Sequence, residues 1–307
     1  MEARMIEFLQ QNDLLLKTLM MYIVLGLSVQ VVLRAGVFSL ASAGFWGISA
    51  YATGILAKLI PWPLAILAGL VVCAAASGLL ALLLTRLRGL YLGMGTIAFN
   101  LLVVAVALNW TPVTGGATGL FGIPMTMTLP ASIGLAVLAI AAVALWQSRS
   151  GGRFADALRT DEPLAMSLGI DTFKIRIATF MFSAVLGALS GGMSALTYGV
   201  LGPTDAGFSL VVIGLTIVVL GGTSSWMGAV VGAFIVTMLP RWIGFVREWT
   251  DVVYGLLIIV MVIFAPQGIW GIIRQLWYRV RRRRLPDAPE RPATTTNRIP
   301  SKREQRS

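Results

Sequence analysis

The chain of 307 residues contains no histidine and a single cysteine, Cys73. Without histidine there is no imidazole to act as a general base, to bind a metal ion or to relay protons. With one cysteine the chain can form neither an internal disulfide nor a cysteine-based metal cluster. The sequence therefore predicts no metal site and no histidine-dependent catalysis.

Charge is also scarce, since charged residues make up 12% of the chain, hydrophobic residues make up 57% and the mean hydropathy is +0.84. No Asp or Glu occurs between Asp13 and Asp156. Carriers driven by protons usually keep ionisable side chains inside the membrane. Their absence argues against such a carrier and against an intramembrane enzyme with paired carboxylates, so we expect no enzymatic activity. Sodium coupling through backbone carbonyls is left open.

The sequence lacks a GxxxxGK[ST] phosphate loop, so no ATP or magnesium site is expected on this chain. The peptide LSGGM at 189–193 resembles the signature of ABC ATPases, but it lies within an apolar run that nucleotide does not reach. We interpret its small residues, like Gly228 and Gly232, as contacts that let helices pack closely.

What the chain does contain is a series of apolar runs near the length of ~20 residues that a membrane-spanning helix needs. These runs predict an all-α integral membrane protein, a polytopic bundle of about eight to ten spans. The candidate spans are 16–33, 36–57, 64–85, 90–108, 131–146, 177–198, 208–222, 227–243 and 252–265. The segment 36–57 is rich in Ser and Gly and is predicted to be a broken or re-entrant helix, which needs protein or water over its backbone.

The basic residues predict the orientation. If the chain has nine spans, eight Lys and Arg residues, including Arg34, Arg86 and Arg88, face the cytoplasm before the tail is counted. Five Lys and Arg residues face outside, so the basic residues lie mainly on the cytoplasmic side. Residues 274–307 hold 11 Lys/Arg and three acidic residues, with the run Arg281–Arg284 directly after the apolar part. We therefore predict a permease domain at 1–273 and a basic, largely disordered cytoplasmic tail at 274–307. The N-terminus lies outside, or inside if 36–57 does not cross.

One hydrophilic loop, residues 148–176, is predicted to be structured. Asp161 can cap a helix over 162–168 that stops near Gly169, and a second short helix is expected near 153–159. Leu164, Ala165 and Leu168 would share one face of the first helix. Acidic residues around this helix disfavour anionic lipid, so a protein partner is favoured over the membrane surface.

Several motifs, in order over residues 18–274, resemble one family. They are SLASAGFWGISAY at 39–51, LRGLYL at 87–92, the outer loop with TGGATGLFGIP at 114–124, the loop 152–174, the Gly-Gly turn at 219–228, and YGLL at 254–257 with PQG at 266–268. The chain is similar to permease subunits of the branched-chain amino-acid ABC transporters, of the LivM type.

The resemblance implies a bacterial inner-membrane protein that imports a small solute with energy from ATP and Mg on separate subunits. The implied partners are a second, LivH-type permease, two ABC ATPases, a periplasmic solute-binding protein and membrane lipid, without nucleic acid. The residues implied to contact the ATPase are Arg153, Arg159, Asp161, Glu162, Leu164, Leu168 and Gly169. The motifs also place Ser39, Ser42, Phe45, Thr114, Gly115 and Gly116 along the translocation path, and the rare intramembrane amide of Asn100 is a further candidate for it.

Two questions stay open at this point. Asn100 either bonds between helices or contacts the solute. The chain departs from the family at Ala117-Thr118, where Pro-Asn or Pro-Asp is usual, and near Ser42, where His or Gln is usual, so the solute is a branched-chain amino acid or a related amide, urea or aromatic acid. The alternative function is a stand-alone channel or facilitator, which would need no partner and no docking helix.

Overall fold

The computed structural model describes residues 12–84, 87, 89–242, 250–264 and 268–271. Predictions on Arg86, Arg88, the motif at 266–267 and the tail 274–307 lie outside the described residues. Within the described residues the only β contact is an isolated antiparallel bridge between Leu120 and Leu201. The rest is helices and their connections, which confirms the all-α class.

Twelve α-helices follow one another in the described chain. They are α1 (Asp13–Arg34), α2 (Ser42–Leu56), α3 (Trp62–Leu84), α4 (Leu90–Asn109), α5 (Thr111–Thr114), α6 (Leu129–Ser148), α7 (Ser150–Thr160), α8 (Glu162–Ser167), α9 (Thr172–Tyr198), α10 (Phe208–Gly221), α11 (Trp226–Trp242) and α12 (Thr250–Phe264), with a 3₁₀ turn at Gly116–Thr118 after α5.

All nine predicted apolar segments contain a helix, but fewer helices are long enough to cross a membrane. Within the described residues five qualify, α1, α3, α4, α6 and α9, or six if α10 and α11 are one broken span, since they meet at 119°. The helix α2 has 15 residues. That is roughly 22 Å at 1.5 Å per residue, short of the ~30 Å hydrocarbon core. Over the described residues the structure thus supports a polytopic membrane protein, with five or six helices that are long and apolar enough to cross.

The centre of the bundle is α9, which packs against α1, α2 and α3. Its glycines allow this approach, because a Cβ at Gly191 would collide with the backbone carbonyl of Trp46, and one at Gly187 would lie 3.0 Å from the Ser42 carbonyl. Ser190 donates a 2.9 Å hydrogen bond to the Met21 carbonyl. The LSGGM peptide therefore packs helices together, as predicted.

The helical structure is interrupted before α2, as the Ser- and Gly-rich sequence predicts. Residues 37–40 are not helical, and α2 begins only at Ser42. The backbone of this break is covered by α4. Thr96 Oγ1 of α4 accepts a 3.0 Å hydrogen bond from the Leu40 N–H. Protein therefore satisfies the polar backbone, which is the condition for irregular chain at membrane depth.

A second irregular feature is the bent pair α10–α11, whose connecting turn, residues 222–225, we call the hairpin tip. The two helices touch through glycines, because a Cβ at Gly221 would collide with the Gly228 carbonyl and one at Gly232 with the Ile217 carbonyl. The predicted small-residue pair Gly228 and Gly232 thus does bring two backbones together. The pair packs in turn against α1.

Candidate coupling loop and translocation path

The loop between α6 and α9 folds as two short helices, close to the sequence prediction. Asp161 caps α8, since its Oδ1 accepts a 3.0 Å hydrogen bond from the Leu164 N–H. Gly169 has φ of +79°, a left-handed conformation that ends the helix without strain. The helix stops at Ser167, one residue earlier than predicted, and α7 begins at Ser150 rather than near Arg153.

The apolar residues of α8 are largely open to solvent. Leu164 is 56% exposed and Leu168 is 73% exposed, whereas Ala165 is only 3% exposed. Together with the polar side chains of Asp156, Thr160 and Asp161, these three residues line a groove of about 330 Å³. The predicted common face therefore exists as one wall of this groove, although Ala165 lies at its base and is covered by the protein.

Two ion pairs fix the loop to the bundle. Arg34, at the end of α1, holds Asp156 of α7 through two hydrogen bonds, from Nε to Oδ1 at 3.0 Å and from Nη2 to Oδ2 at 2.9 Å. Arg176, near the start of α9, donates from Nη2 to Oε2 of Glu162 at 2.7 Å, and both side chains are less than one-fifth exposed. Glu162 thus uses its carboxylate within the chain, while Arg153 stays exposed on α7.

Arg159 connects the loop to the hairpin tip. Its Nη1 donates to Thr223 Oγ1 at 3.4 Å. The Nε2 of Gln30 donates to the Thr223 carbonyl at 2.8 Å, and the Oε1 of Gln30 accepts from Gln147 Nε2 at 2.9 Å. Gln147 Oε1 in turn accepts from the Trp226 N–H at 3.3 Å. We call these four side chains, Arg159, Thr223, Gln30 and Gln147, the amide relay.

The sequence missed this relay. Gln30 is visible as a rare polar residue in an apolar run, and the structure shows it fully buried. Gln147 lies 117 residues away near the end of α6, and Thr223 lies 193 residues from Gln30. The signal that could have found the relay is the pair of glutamines in two otherwise apolar helices, because an amide inside a membrane needs a partner.

Four of the predicted path residues meet at the break before α2. The amide of Asn100 bonds on both sides, since Oδ1 accepts from the Gly44 N–H and Nδ2 donates to the Leu40 carbonyl, each at 2.7 Å. Ser39 lies in the break itself, and its Oγ accepts from the Ala41 N–H at 3.4 Å. Ser42 Oγ lies 3.0 Å from Ser28 Oγ on α1.

The fourth of these residues, Phe45, packs its ring against Phe99 at 5.3 Å and Phe180 at 5.4 Å between centroids. All four residues are buried, with at most 4% of any side chain exposed. Asn100 of α4 therefore forms a hydrogen bond to another helix, through Gly44 of α2, which is one of the two alternatives that the sequence left open. No contact with a solute is needed to satisfy this amide.

The other three predicted path residues lie apart from this cluster, in the turn after α4. The Thr114 hydroxyl lies 2.7 Å from the Ala107 carbonyl oxygen and 2.9 Å from the Trp110 carbonyl oxygen, and it can donate its proton to either. Gly115 and Gly116 both have positive φ, +80° and +61°. Their place in the sequence motif is thus explained by a tight turn that other residues would strain.

A cavity of about 390 Å³ adjoins both groups, because Thr114 lines it and so does Phe99, which packs on Phe45. Its wall is almost entirely apolar, with Val103, Val106 and Trp110 of α4 and the turn that follows. Tyr51 of α2 also lines it, and the buried Tyr51 hydroxyl has no hydrogen-bond partner among the described residues. Tyr51 ends the sequence motif at 39–51 but was not among the predicted path residues.

The helical bundle, the loop with its capped helix and the buried polar break are the features expected of a membrane permease component. The family model for the permease component of branched-chain amino acid transport systems matches residues 13–262. The chain belongs to this family.

Individual relatives agree with this assignment. The chain is 29% identical to the high-affinity branched-chain amino acid transport system permease protein LivM of Escherichia coli K12, over 83% of this chain and 69% of the relative. It is 33% identical to LivH of the same organism over 39% of each chain. It is 28% identical to the autoinducer 2 import system permease protein LsrC of Yersinia enterocolitica, over 73% of this chain and 74% of the relative. No solved structure matches the chain.

Proposed function

We propose that this chain is the transmembrane permease subunit of an ATP-driven importer in a bacterial inner membrane, with loop 148–176 and the C-terminus in the cytoplasm. The positive-inside rule supports this orientation. The end of the bundle that carries the loop also carries Arg34, Arg149, Arg153, Arg159, Lys174 and Arg176. Lys17 and Lys58 lie toward the other end, where Thr18 meets Tyr198 and Lys58 bonds the Phe121 carbonyl.

The observation that carries the proposal is the exposed leucine pair on α8. Large apolar side chains that share one exposed face outside the membrane are a common mark of a protein interaction site. A capped helix held by the Arg34–Asp156 and Arg176–Glu162 ion pairs presents Leu164 and Leu168 in a fixed position. Such a short helix, with its leucines as anchors, fits a groove on another protein. We assign this partner as an ABC ATPase, which holds the ATP and Mg; this chain itself is not an enzyme.

Asp156 and Asp161, which line the α8 groove, set the charge of the partner. Because acidic side chains flank the leucines, the surface of the ATPase that meets α8 should be apolar with Lys or Arg at its edge. Arg153, exposed on α7, would meet the same subunit. Gly169 ends the helix so that Leu168 stays at its tip.

The amide relay gives a route from the docking helix into the membrane. A movement of α7 reaches Thr223 through Arg159 and reaches α1 and α6 through Gln30 and Gln147. A bistable element is needed for such a change to have a large effect. The bent pair α10–α11 is suited to this role, because its two helices make close backbone contacts at Gly221, Gly228 and Gly232 and join at a sharp turn.

We assign the solute as a branched-chain amino acid or a related small solute. The supporting feature is the apolar cavity beside Tyr51, whose wall fits a hydrocarbon side chain and whose hydroxyl is free to accept a polar contact. The polar break with Ser39, Ser42 and Asn100 lies beside it through Phe45 and Phe99. A LivH-type permease would supply the other half of the path, and a periplasmic binding protein would deliver the solute.

The experiment replaces both exposed leucines, Leu164→Asp with Leu168→Asp, in the chain expressed with its genomic neighbours. We expect the ATPase subunits to be lost on purification and ATP-driven uptake to fall to background. The matched control is Leu59→Asp, also strongly exposed at 79% but in the turn between α2 and α3, which should keep the ATPase. Normal uptake by the double variant at normal expression would contradict the proposal and would favour a stand-alone facilitator.

A further inference from the structure

A groove of about 410 Å³ lies where α6, α7 and α9 meet, away from the leucines of α8. One wall is apolar and consists of Leu145 of α6 with Ile175 and Ala178 of α9. Leu145 and Ala178 are exposed, so the groove opens along the outer surface of the bundle. Trp146 and Phe154 form its aromatic end, and tryptophan is common at the membrane–water boundary.

Positive charge lies at the same end of the groove. Arg149 lines it, is exposed, and forms no ion pair within the described residues. Gly151, in the first turn of the 11-residue helix α7, also lines it, and no side chain caps this helix. The first N–H groups of an uncapped helix and its dipole attract anions.

A third, independent feature is Thr179 on α9. It is 1% exposed, it lines the groove, and its hydroxyl has no hydrogen-bond partner in the described structure. A buried hydroxyl without a partner is costly, so a ligand that supplies one would be stabilised there. The groove therefore combines a cation, a helix N-terminus and an unsatisfied donor with an apolar wall.

We propose that this groove binds an anionic phospholipid. The phosphate lies against Arg149 and the start of α7, an oxygen of the lipid headgroup or glycerol ester accepts from the Thr179 hydroxyl, and an acyl chain follows Leu145 and Ala178. Basic pockets between membrane helices on the cytoplasmic side are the usual setting for such lipids. The site is separate from the α8 groove, but residues of α7 line both of them. A lipid bound at the start of α7 would therefore fix the position of the coupling loop.

The test measures lipid retention by native mass spectrometry of the full chain, purified in detergent and titrated with dioleoyl phosphatidylglycerol or dioleoyl phosphatidylcholine. We expect tighter binding of phosphatidylglycerol, weakened about fivefold by Arg149→Ala, the value for one basic residue at an anionic surface. Thr179→Val, which keeps the shape of the side chain, should weaken it by about as much. The control Lys174→Ala removes an exposed cation that does not line the groove and should leave binding unchanged.

Three results would overturn the proposal. The first is equal retention of phosphatidylglycerol by the wild type and by Arg149→Ala. The second is an equal loss in Lys174→Ala, which would mean general attraction to the basic end of the bundle. The third is displacement of the lipid by excess inorganic phosphate, which would make this a site for free anions. None of these results depends on whether α8 binds an ATPase.

Discussion

Gln30, buried in the first helix, donates from Nε2 to the backbone carbonyl of Thr223 at 2.8 Å, which ties the core of the bundle to the tip of a bent helix pair. Arg159 of the loop reaches the same residue through the Thr223 side chain. The two contacts make Thr223 the meeting point of the loop and the membrane core. Changes at either contact should therefore alter how loop movement reaches α10 and α11.

The first prediction concerns Gln30→Leu. This change leaves the Thr223 carbonyl and Gln147 Nε2 without their partner, so we expect ATP-driven uptake to fall by roughly fivefold or more, within the range of ordinary coupling energies. The ATPase subunits should still co-purify, because α8 is unchanged. The control is Asn109→Leu, since Asn109 is an exposed amide that bonds only the Ala105 carbonyl of its own helix. Full uptake by Gln30→Leu would exclude the relay as the route.

The second prediction concerns Asn100→Leu, which removes both hydrogen bonds to the break before α2. We expect the free energy of unfolding to fall by about 1–3 kcal/mol, the cost of leaving buried backbone groups unsatisfied. The measurement is thermal unfolding in detergent, with Thr96→Val as a comparison. Thr96 Oγ1 makes one hydrogen bond to the break, from the Leu40 N–H, and donates its other one to the Gly93 carbonyl of its own helix, so its replacement should lower the unfolding temperature less. If Asn100→Leu unfolds like the wild type but loses uptake, Asn100 acts on the solute instead.

The third prediction concerns the Arg34–Asp156 pair. Arg34→Asp or Asp156→Arg alone places like charges together and should detach α7, which would raise amide exchange over residues 150–168. The double exchange, Arg34→Asp with Asp156→Arg, should restore most of the protection, because a partly buried bidentate pair depends on opposite charges in either order. A double variant as mobile as the single variants would show that the pair does not hold the loop.

The fourth prediction concerns acid. The N–H of Lys174 bonds Asp171 at the start of α9 and, with the Lys174 side chain, lowers the pKa of this exposed carboxyl below its usual 3.8. A carboxyl whose pKa is lower in the folded than in the unfolded protein stabilises the fold at a pH above the unfolded-state pKa. This stabilisation is lost as the pH falls through the folded-state pKa. Amide protection at Lys174 should therefore hold from neutral pH down to about 4 and decrease below it.

Asp171→Asn separates charge from capping, because asparagine also caps helices. In this variant the protection of the first turn of α9 should be nearly independent of pH over the same range. Acid loss of equal size in both proteins would assign the effect to another group.

The sequence predicted the positions of the helices because apolar runs and breakers are local signals. It also predicted the α8 cap at Asp161 and the stop at Gly169, since both depend on residues within one helical turn. It did not predict that α2 is too short to cross, because the apolar run 36–57 is long enough and the non-helical residues 37–40 shorten the helix. The amide relay could not be predicted from local signals, since it joins residues 64 to 193 positions apart. The sequence grouped Ala165 with Leu164 and Leu168 because helical periodicity shows which residues share a face. It does not show which of them the rest of the protein covers, and Ala165 is buried.

The central claim is that α8 docks on an ATPase, and a single introduced cysteine tests it most directly. The natural Cys73 is fully buried, so Leu168→Cys provides an accessible thiol that a bifunctional reagent can link to a neighbouring subunit. We predict a crosslink between Leu168→Cys and the ATPase in the assembled transporter, and none from Leu59→Cys in the turn between α2 and α3. An assembled, active transporter in which Leu168→Cys reacts freely with a small thiol reagent and gives no crosslink would contradict the account.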